Sequence, residues 1–179
     1  MTQRQKPEKT AIVELKAKVD SLEPFTEKLK SLKAESVGVF HQVDTYYKIP
    51  QGRLKLRETD SEDMVQLVYY ERPDVEGPKQ SQVFVIELPK LQTTKRFLGS
   101  AFRVKTIVDK QREIFRLRGT QVHLDTVKSL GTYVEFERPS GDTPEATRRS
   151  REALESLMRM LGIKPESLQK GSYSDLLAE

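Results

Sequence analysis

One short segment, Gly52–Glu58 (GRLKLRE), shows the pattern that most restricts the fold of this chain. Two leucines alternate with three cations, Arg53, Lys55 and Arg57, so a β-strand would carry the charges on one face and the leucines on the other. The apolar face of such a strand belongs to a core. Its charged face lies either in water or against other charged faces, and the second arrangement implies a polyanionic ligand.

The same alternation recurs along the chain, with permanent charges rather than serine or threonine on the polar face. Solvated faces would explain any single strand of this kind. Several such faces turned toward each other would instead form a charged interior. Apart from the first segment, the residues on these faces are Glu14, Lys16, Lys18, Arg72, Lys110, Arg112, Arg116, Arg118, His123, Asp125, Glu135 and Glu137.

The patterns predict about eight strands and three or four helices, joined mostly by hairpin-like connections, so the sheet is mostly antiparallel. Closure into a barrel removes the sheet edges and turns one face of every strand inward. We therefore predict an α+β fold, a closed antiparallel β-barrel of about eight strands that forms a charged tunnel, with helices packed outside. The 179 residues suit one domain, over residues 11–179, after a polar and flexible tail over residues 1–10.

Composition excludes several other classes of protein. The absence of cysteine excludes disulfides, zinc–thiolate sites and thiol catalysis. The N-terminus has no apolar core typical of a signal peptide, and no segment is apolar enough to cross a membrane, so we expect a cytoplasmic protein. A net charge of +4 does not by itself indicate a nucleic-acid partner. We expect structural roles for the two histidines, His41 and His123.

The charged faces suit a phosphate-rich ligand. Arginine and lysine at alternating positions bind phosphate oxygens, and arginine does so with paired hydrogen bonds. Glu135 and Glu137 are two residues apart on one strand and point the same way, and Glu14 can face them across the barrel. Grouped carboxylates bind Mg²⁺ or Mn²⁺, which share oxygen ligands with phosphates. Cations, metal and phosphate together favour phosphoryl or nucleotidyl transfer.

Six blocks of sequence, in order, resemble the CYTH superfamily, also called triphosphate tunnel metalloenzymes, and within it the class IV adenylyl cyclase-like branch. The blocks are VELKAKV, VDTYYKIPQGRLKLRE, YYERPDVEGPKQS, VDKQREIF, VHLDTVKSLGTYVEFE and LGIKPESLQKGSYSDLL. The resemblance covers nearly the whole chain after the tail. It implies a barrel that binds a triphosphate along its axis, with a divalent metal held by glutamates at one side.

The resemblance also implies roles for individual residues. The expected catalytic residues are Glu14, Lys16, Glu135 and Glu137. The expected phosphate-binding residues are Lys18, Arg53, Lys55, Arg57, Arg72, Lys79, Lys110 and Arg112, with Lys79 in a loop that can close on phosphate. The expected ligands of Mg²⁺ or Mn²⁺ are Glu14, Glu135, Glu137 and Asp125.

One position departs from the family pattern, because the first glutamate of the Glu-x-Glu-x-Lys motif on the first strand falls on Ile12. Three consequences are open. Glu14, Glu135 and Glu137 can suffice for one ion, a second metal can bind weakly, or catalysis can be lost while phosphate binding remains.

Three functions compete. The first is a metal-dependent enzyme that converts ATP to cyclic AMP and pyrophosphate, or that hydrolyses a triphosphate. The second, favoured by Ile12, is a catalytically weakened module that binds a nucleotide or polyphosphate. The third is a nucleic-acid surface, on which the paired tyrosines 46–47 and 69–70 would stack bases. The expected partner is a nucleoside triphosphate or another polyphosphate, and a homodimer is an option because relatives often pair.

Overall fold

A computed structural model describes residues 8–60, 62–89 and 92–178. Within these ranges, eight strands form a closed antiparallel barrel and four α-helices lie outside it, which confirms the predicted fold. The strands are β1 (Glu8–Val19), β2 (Glu35–Tyr47), β3 (Arg53–Thr59), β4 (Met64–Glu71), β5 (Lys79–Pro89), β6 (Val104–Leu117), β7 (Thr120–Val127) and β8 (Gly131–Ser140). The helices are α1 (Glu23–Ser31), α2 (Gln92–Ala101), α3 (Pro144–Leu161) and α4 (Tyr173–Leu176), with a 3₁₀ turn at Pro165–Ser167.

The strand order around the barrel is β1-β5-β4-β3-β2-β6-β7-β8, and every neighbouring pair is antiparallel. Two runs of consecutive strands, β2 to β5 and β6 to β8, are neighbours in space, as hairpin-like connections require. The first strand closes the barrel by pairing with β5 on one side and β8 on the other. In this order β4 and β5 lie across the barrel from β7 and β6, and β3 lies across from β8.

The main hydrophobic core lies outside the barrel, between the outer face of the sheet and helices α1 and α3. The outward residues of β1 and β6–β8 pack there against Leu29 of α1 and Leu154 of α3. A second outer cluster places Leu98 of α2 against Tyr47 and Leu56. Because the apolar faces of the strands point outward under the helices, their charged faces point into the barrel.

The longest helix, α3, is capped at both ends. The Thr143 hydroxyl accepts a hydrogen bond from the Ala146 backbone N–H, and Pro144 occupies the first turn. Gly162 ends the helix in the left-handed conformation, at a φ of 75°, which glycine adopts without steric cost. Both ends of the helix are therefore defined by capping residues.

Two predictions about local structure need correction or restriction. Of the predicted tail, residues 1–7 lie outside the described residues, whereas residues 8–10 already belong to β1 and pair with β5. Lys79 was predicted in a loop but is the first residue of β5, where it pairs with Glu14 of β1. In both cases the backbone pairing of β1 with β5 extends the strands beyond the sequence signal.

No described helix combines the length and the apolar character needed to span a membrane.

Candidate functional site

The inside of the barrel encloses a cavity of about 160 Å³ that is lined mainly by charged side chains. Among the described residues, six cations and four carboxylates line it. The cations are Lys16, Lys55, Arg57, Arg72, Lys110 and Arg112, and the carboxylates are Glu14, Asp44, Glu135 and Glu137. Most of the charged residues that share a face in the sequence are thus brought together around one space, which we call the lumen.

One wall of the lumen is organised around Asp44 of β2. Its carboxylate accepts hydrogen bonds from Lys55 Nζ at 3.0 Å, from Lys110 Nζ at 2.8 Å, and from Arg57 Nε and Nη2 at 2.7 and 2.9 Å. Burial alone would raise the pKa of Asp44, but the charges of Arg57, Lys110 and Lys55 hold that pKa well below its usual range. Three cations therefore share one carboxylate.

Burial also affects the two lysines of this wall. It lowers the pKa of Lys110 to about 7 and that of Lys55 to about 8, although Asp44 opposes the shift in each case. Sequence reasoning missed Asp44 as a functional residue. The available signal was its place in the block VDTYYKIP, two residues before the inward-facing Tyr46.

The opposite side of the lumen carries Glu135 and Glu137 of β8, together with His123 of β7. One ligand atom from each of these residues lies within 4.8 Å of the others. His123 Nδ1 is 3.7 Å from Glu135 Oε2 and 3.9 Å from Glu137 Oε1. Glu135 also pairs with Lys16, at 3.1 Å between Nζ and Oε1. Carboxylate oxygens close together on one wall suit a divalent cation.

Asp125, a predicted metal ligand, lies apart from this group of three residues. Its two oxygens accept hydrogen bonds from Arg112 Nε at 2.7 Å and Nη2 at 2.6 Å, and Oδ2 also accepts one from the Tyr173 hydroxyl at 2.7 Å. Arg112 Nη2 also donates to Glu135 Oε2 at 2.6 Å. Arg112 therefore links the two carboxylates, and both of its partners are buried.

Glu14 is predicted as both a catalytic residue and a metal ligand. Its hydrogen-bond partners are not His123, Glu135 or Glu137. It lies opposite Glu137 in the β1–β8 pairing, but its carboxylate accepts hydrogen bonds from Arg72 and from the Ser81 hydroxyl. Arg72 Nε and Nη2 are buried and have no hydrogen-bond partner in the described part of the chain. Unpaired buried donors of this kind are costly unless a ligand satisfies them.

The C-terminal segment covers one end of the lumen. Tyr173 of α4 lies against Lys16, whose Nζ is 3.4 Å from the centre of the tyrosine ring. Asp175 accepts a hydrogen bond from Arg53 at 2.9 Å, and Lys79 Nζ donates to the Gln169 carbonyl at 2.9 Å.

Three predicted phosphate-binding residues consequently fall outside the cavity lining. Arg53 is bonded to Asp74 and Asp175, and Lys79 to backbone carbonyls of the C-terminal segment and of Val75. Lys18 is exposed beyond Lys16 on β1. Arg53 and Lys18 share the inward-facing pattern, whereas Lys79 was expected in a loop. All three lie toward the covered end, where the sequence pattern does not show the C-terminal segment.

The lumen opens at its other end. A surface depression there is lined by Gln121, His123 and Glu137, and it shares Arg57 and Arg112 with the lining of the lumen. Ile12 also lines the lumen, so the position that departs from the family motif does face inward. An ion or small molecule can therefore reach the His123–Glu135–Glu137 group from the open end.

The family model for the CYTH domain matches residues 11–173, which include every residue that lines the lumen. The chain belongs to the CYTH family. This result confirms the resemblance found in the sequence. The CYTH fold here surrounds a lumen with two distinct sides. The cationic wall consists of Lys55, Arg57 and Lys110 around Asp44, and the acidic wall consists of Glu135 and Glu137.

Individual relatives agree with this assignment. A protein of Methanocaldococcus jannaschii named "Putative adenylate cyclase MJ0240" is 24% identical over 175 residues, which cover 92% of this chain and 97% of that protein. An X-ray structure of a "putative adenylate cyclase" from Vibrio parahaemolyticus has a TM-score of 0.80 at 23% identity, and the match covers 96% of this chain and 100% of that one.

A third similar structure has a different described activity. It is a Hippeastrum protein described as a "putative adenylyl cyclase" that "reveals a dominant triphophatase activity", with a TM-score of 0.58 at 16% identity. The match covers 91% of each chain. At these identities the similar structures show a shared fold alone.

Proposed function

We propose that this CYTH protein is a metal-dependent enzyme that processes a triphosphate, either as an adenylyl cyclase or as a triphosphate hydrolase. The observation that carries the proposal is the excess of cations over carboxylates around the lumen, with Lys55, Arg57 and Lys110 sharing only Asp44. Buried charge of one sign is costly without a counter-charge. A polyanion supplies that counter-charge.

The phosphates would lie along the cationic wall. Lys55, Arg57 and Lys110 can turn part of their hydrogen bonding from Asp44 to phosphate oxygens. The unpaired Nε and Nη2 donors of Arg72 face the same cavity and can take a further oxygen. Charge-assisted hydrogen bonds of this type are short and strong. The lumen thus provides donors from several strands for a chain of phosphates.

An apolar strip on β4 and β5 favours an organic group on the ligand. Val68, Val83 and Val85 line the same cavity, on the strands that lie across the barrel from β6 and β7. Apolar side chains offer no partners to phosphate oxygens but can pack against a base or another ring. We therefore propose an organic triphosphate, such as ATP, rather than inorganic triphosphate.

The residues of the acidic wall fit a divalent cation. Glu135 and Glu137 would hold it, and Glu14 could approach it by giving up its bond to Arg72. A bound Mg²⁺ or Mn²⁺ supplies neutralisation of phosphate oxygens and polarisation of the phosphorus. Lys16 adds a positive charge at Glu135 and helps to keep that carboxylate ionised: burial alone would raise its pKa, but Lys16 and Arg112 hold it well below the usual range.

The two proposed reactions use the same lumen. In a cyclase, the ribose 3′-hydroxyl attacks the α-phosphorus and pyrophosphate leaves. In a hydrolase, water attacks the terminal phosphorus. Either way, the chain's own task is to bind and orient the phosphates and to balance the charge of the leaving group. The name of the Methanocaldococcus protein supports the cyclase, and the triphosphatase activity described for the Hippeastrum protein supports the hydrolase.

The second candidate is a binding module without turnover, and Ile12 is the observation that favours it. Its side chain lines the lumen where the family motif has a carboxylate, so that ligand is missing. A nucleic-acid surface has less support, because Tyr46 and Tyr70 point into the lumen while Tyr47 packs under α2. The tyrosine pairs therefore do not present a joint stacking surface.

The proposal is tested by product analysis. The purified protein is incubated with Mn²⁺ and, separately, ATP, thiamine triphosphate and inorganic triphosphate. Cyclic AMP with pyrophosphate indicates a cyclase, and inorganic phosphate with a diphosphate indicates a hydrolase. Absence of product from all three, together with tight binding by calorimetry, would instead support the binding module. Arg148→Ala, on the exposed face of α3, is the control variant that should leave the products unchanged.

A further inference from the structure

We propose that His123 is a metal ligand, so that His123, Glu135 and Glu137 form a mixed nitrogen and oxygen site that selects a first-row transition-metal ion, such as Mn²⁺, over Mg²⁺. This inference deepens the proposed function, on which it rests, by naming a third ligand and the class of ion. It assigns to His123 a role that sequence reasoning did not expect.

The position of His123 supports this assignment. Its strand pairs with β8 so that His123 lies directly opposite Glu135, and both residues point into the barrel. The His123 side chain is 3% exposed, and its Nδ1 faces both carboxylates, at 3.7 Å from Glu135 and 3.9 Å from Glu137. Neighbouring ligand atoms held to one ion by bonds of about 2.1 Å lie roughly 3.0–3.4 Å apart, so a small inward movement of the three side chains would place them around an ion.

The hydrogen bonding of the imidazole leaves Nδ1 available. Nε2 lies 3.1 Å from the Gln121 Oε1 atom and donates its hydrogen there. Nδ1 is buried and has no hydrogen-bond partner among the residues that the structure describes, since both carboxylates lie beyond hydrogen-bond distance. A histidine whose second nitrogen donates to a neighbouring oxygen has the arrangement typical of metal-bound imidazoles. An unpaired buried nitrogen facing two carboxylates is otherwise unfavourable.

The rest of the lumen explains why the third ligand comes from β7. On β1, Ile12 offers no ligand atom, and Glu14 is bonded to Arg72 and Ser81. Glu135 Oε2 already accepts one hydrogen bond from Arg112, but a carboxylate oxygen has a second lone pair for a cation. Among the described side chains, His123 therefore supplies the third ligand atom beside those of Glu135 and Glu137.

The types of ligand atom determine which ion the site prefers. Mg²⁺ strongly prefers oxygen ligands and keeps much of its hydration shell. Imidazole nitrogen binds first-row transition metals more strongly, and their affinities increase along the series from Mn²⁺ to Cu²⁺. A site with one imidazole and two carboxylates therefore gains more from Mn²⁺ than from Mg²⁺.

The test uses Mn²⁺ as the probe and pulsed electron paramagnetic resonance as the readout, on protein without a histidine tag. Electron spin-echo envelope modulation detects the ¹⁴N nucleus of a directly bound imidazole. We expect this modulation in the wild-type protein and in His41→Gln, and its loss in His123→Gln. His41 is the matched control because the chain has two histidines and His41 binds Asp60 and Asp109 away from the lumen.

Affinity gives the second measurement. His123→Gln should weaken Mn²⁺ binding by roughly tenfold or more and change Mg²⁺ binding by less than about twofold. Wild-type protein that binds Mn²⁺ without ¹⁴N modulation, or that binds no Mn²⁺, overturns the inference even if His123→Gln fails to fold.

The test of the His123 ligand and the test of the proposed function can fail independently of each other. Triphosphate binding without the ¹⁴N signal removes only the histidine ligand. The ¹⁴N signal without triphosphate binding or turnover removes only the proposed function.

Discussion

Lys110 and Asp44 form a salt bridge inside the barrel, with 2.8 Å between Nζ and Oδ2 and each side chain 1% exposed. The same carboxylate accepts hydrogen bonds from Lys55 and Arg57. One negative charge thus serves three positive ones inside the barrel, and a bound polyanion would neutralise this imbalance.

Replacement of Asp44 by asparagine should destabilise the protein strongly. Asp44→Asn leaves Lys55, Arg57 and Lys110 without their shared counter-charge, and a broken buried ion pair costs about 3–5 kcal/mol. Urea denaturation measures the loss as a decrease in the free energy of unfolding. Added inorganic triphosphate should then stabilise the variant more than it stabilises the wild-type protein, because the ligand supplies the missing negative charge.

The control for this variant is Asp60→Asn. Asp60 pairs with His41, but its side chain is 70% exposed, so the change in unfolding free energy should stay below about 1 kcal/mol. Equal stabilities of Asp44→Asn and Asp60→Asn would mean that the three cations do not depend on Asp44.

Arg57 and Arg112 should respond differently to replacement by alanine. Arg57→Ala leaves Asp44 with two lysines and relieves like-charge repulsion, so the free energy of unfolding should change by less than about 1 kcal/mol. Arg112→Ala leaves Asp125 and Glu135 buried without their shared partner and should cost about 3–5 kcal/mol. Urea denaturation of both variants measures this difference in the free energy of unfolding. Titration of Arg57→Ala with triphosphate measures its binding affinity.

Triphosphate binding to Arg57→Ala should be roughly tenfold weaker or more, since charged hydrogen bonds contribute about 1.5–3 kcal/mol each. Both arginines are inward cations in the strand pattern, and they differ in the carboxylates that depend on them. An Arg112→Ala variant as stable as the wild-type protein would show that Asp125 and Glu135 do not depend on Arg112 for their stability.

Triphosphate binding should take up protons at pH 8. Burial lowers the pKa of Lys110 to about 7 and that of Lys55 to about 8, and a nearby polyanion favours the charged lysines and raises both values. Proton uptake is therefore expected from about pH 7 upward, and affinity should fall as the pH rises through this range. Calorimetry in buffers of different ionisation enthalpy counts the protons.

Lys110→Arg is the informative variant for this effect, because arginine stays charged throughout the range. It should reduce the proton uptake, whereas Lys30→Arg, on the exposed side of α1, should not. Proton release on binding, or equal uptake in all three proteins, would contradict the lowered pKa values.

The same lysines affect folding with the opposite pH dependence. Their folded-state pKa values lie below the value of 10.5 that both have in an unfolded chain. The contribution of these two groups to stability therefore increases as the pH rises from about 7 toward the unfolded value.

Ile12→Glu should strengthen metal binding. Ile12 faces the lumen, so a carboxylate there can reach the acidic wall and add an oxygen ligand. Calorimetric titration should show tighter Mn²⁺ binding by Ile12→Glu than by the wild-type protein or by the neutral variant Ile12→Gln. Equal Mn²⁺ affinities of all three would argue that a carboxylate at this position cannot approach the ion.

Strand alternation was enough to predict the barrel and most of the charged residues that line its lumen. Lys55, Arg57 and Lys110 were found because inward residues recur with period two, and period two is a local property of a strand. The same period placed Glu135 and Glu137 on one face of their strand. The outer core under α1 and α3 followed from the helices, whose apolar faces had to be buried.

What the sequence did not show depends on contacts between distant segments. Arg53 has the inward pattern and Lys79 was expected in a loop, but residues 169–175 bind both at the covered end. Asp44 is a single acid in an apolar and aromatic block, and its importance appears only when three strands bring their cations to it. His123 became a candidate ligand once its pairing with Glu135 and its unpaired Nδ1 were known.

The most direct test of a triphosphate site in the lumen is a calorimetric titration series with AMP, ADP and ATP in the presence of Mg²⁺. We predict one site per chain, with affinity rising by roughly tenfold or more with each added phosphate as further charged hydrogen bonds form. Arg57→Ala should flatten that series. Equal affinities for AMP and ATP, or an ATP affinity that Arg57→Ala leaves unchanged, would contradict the account.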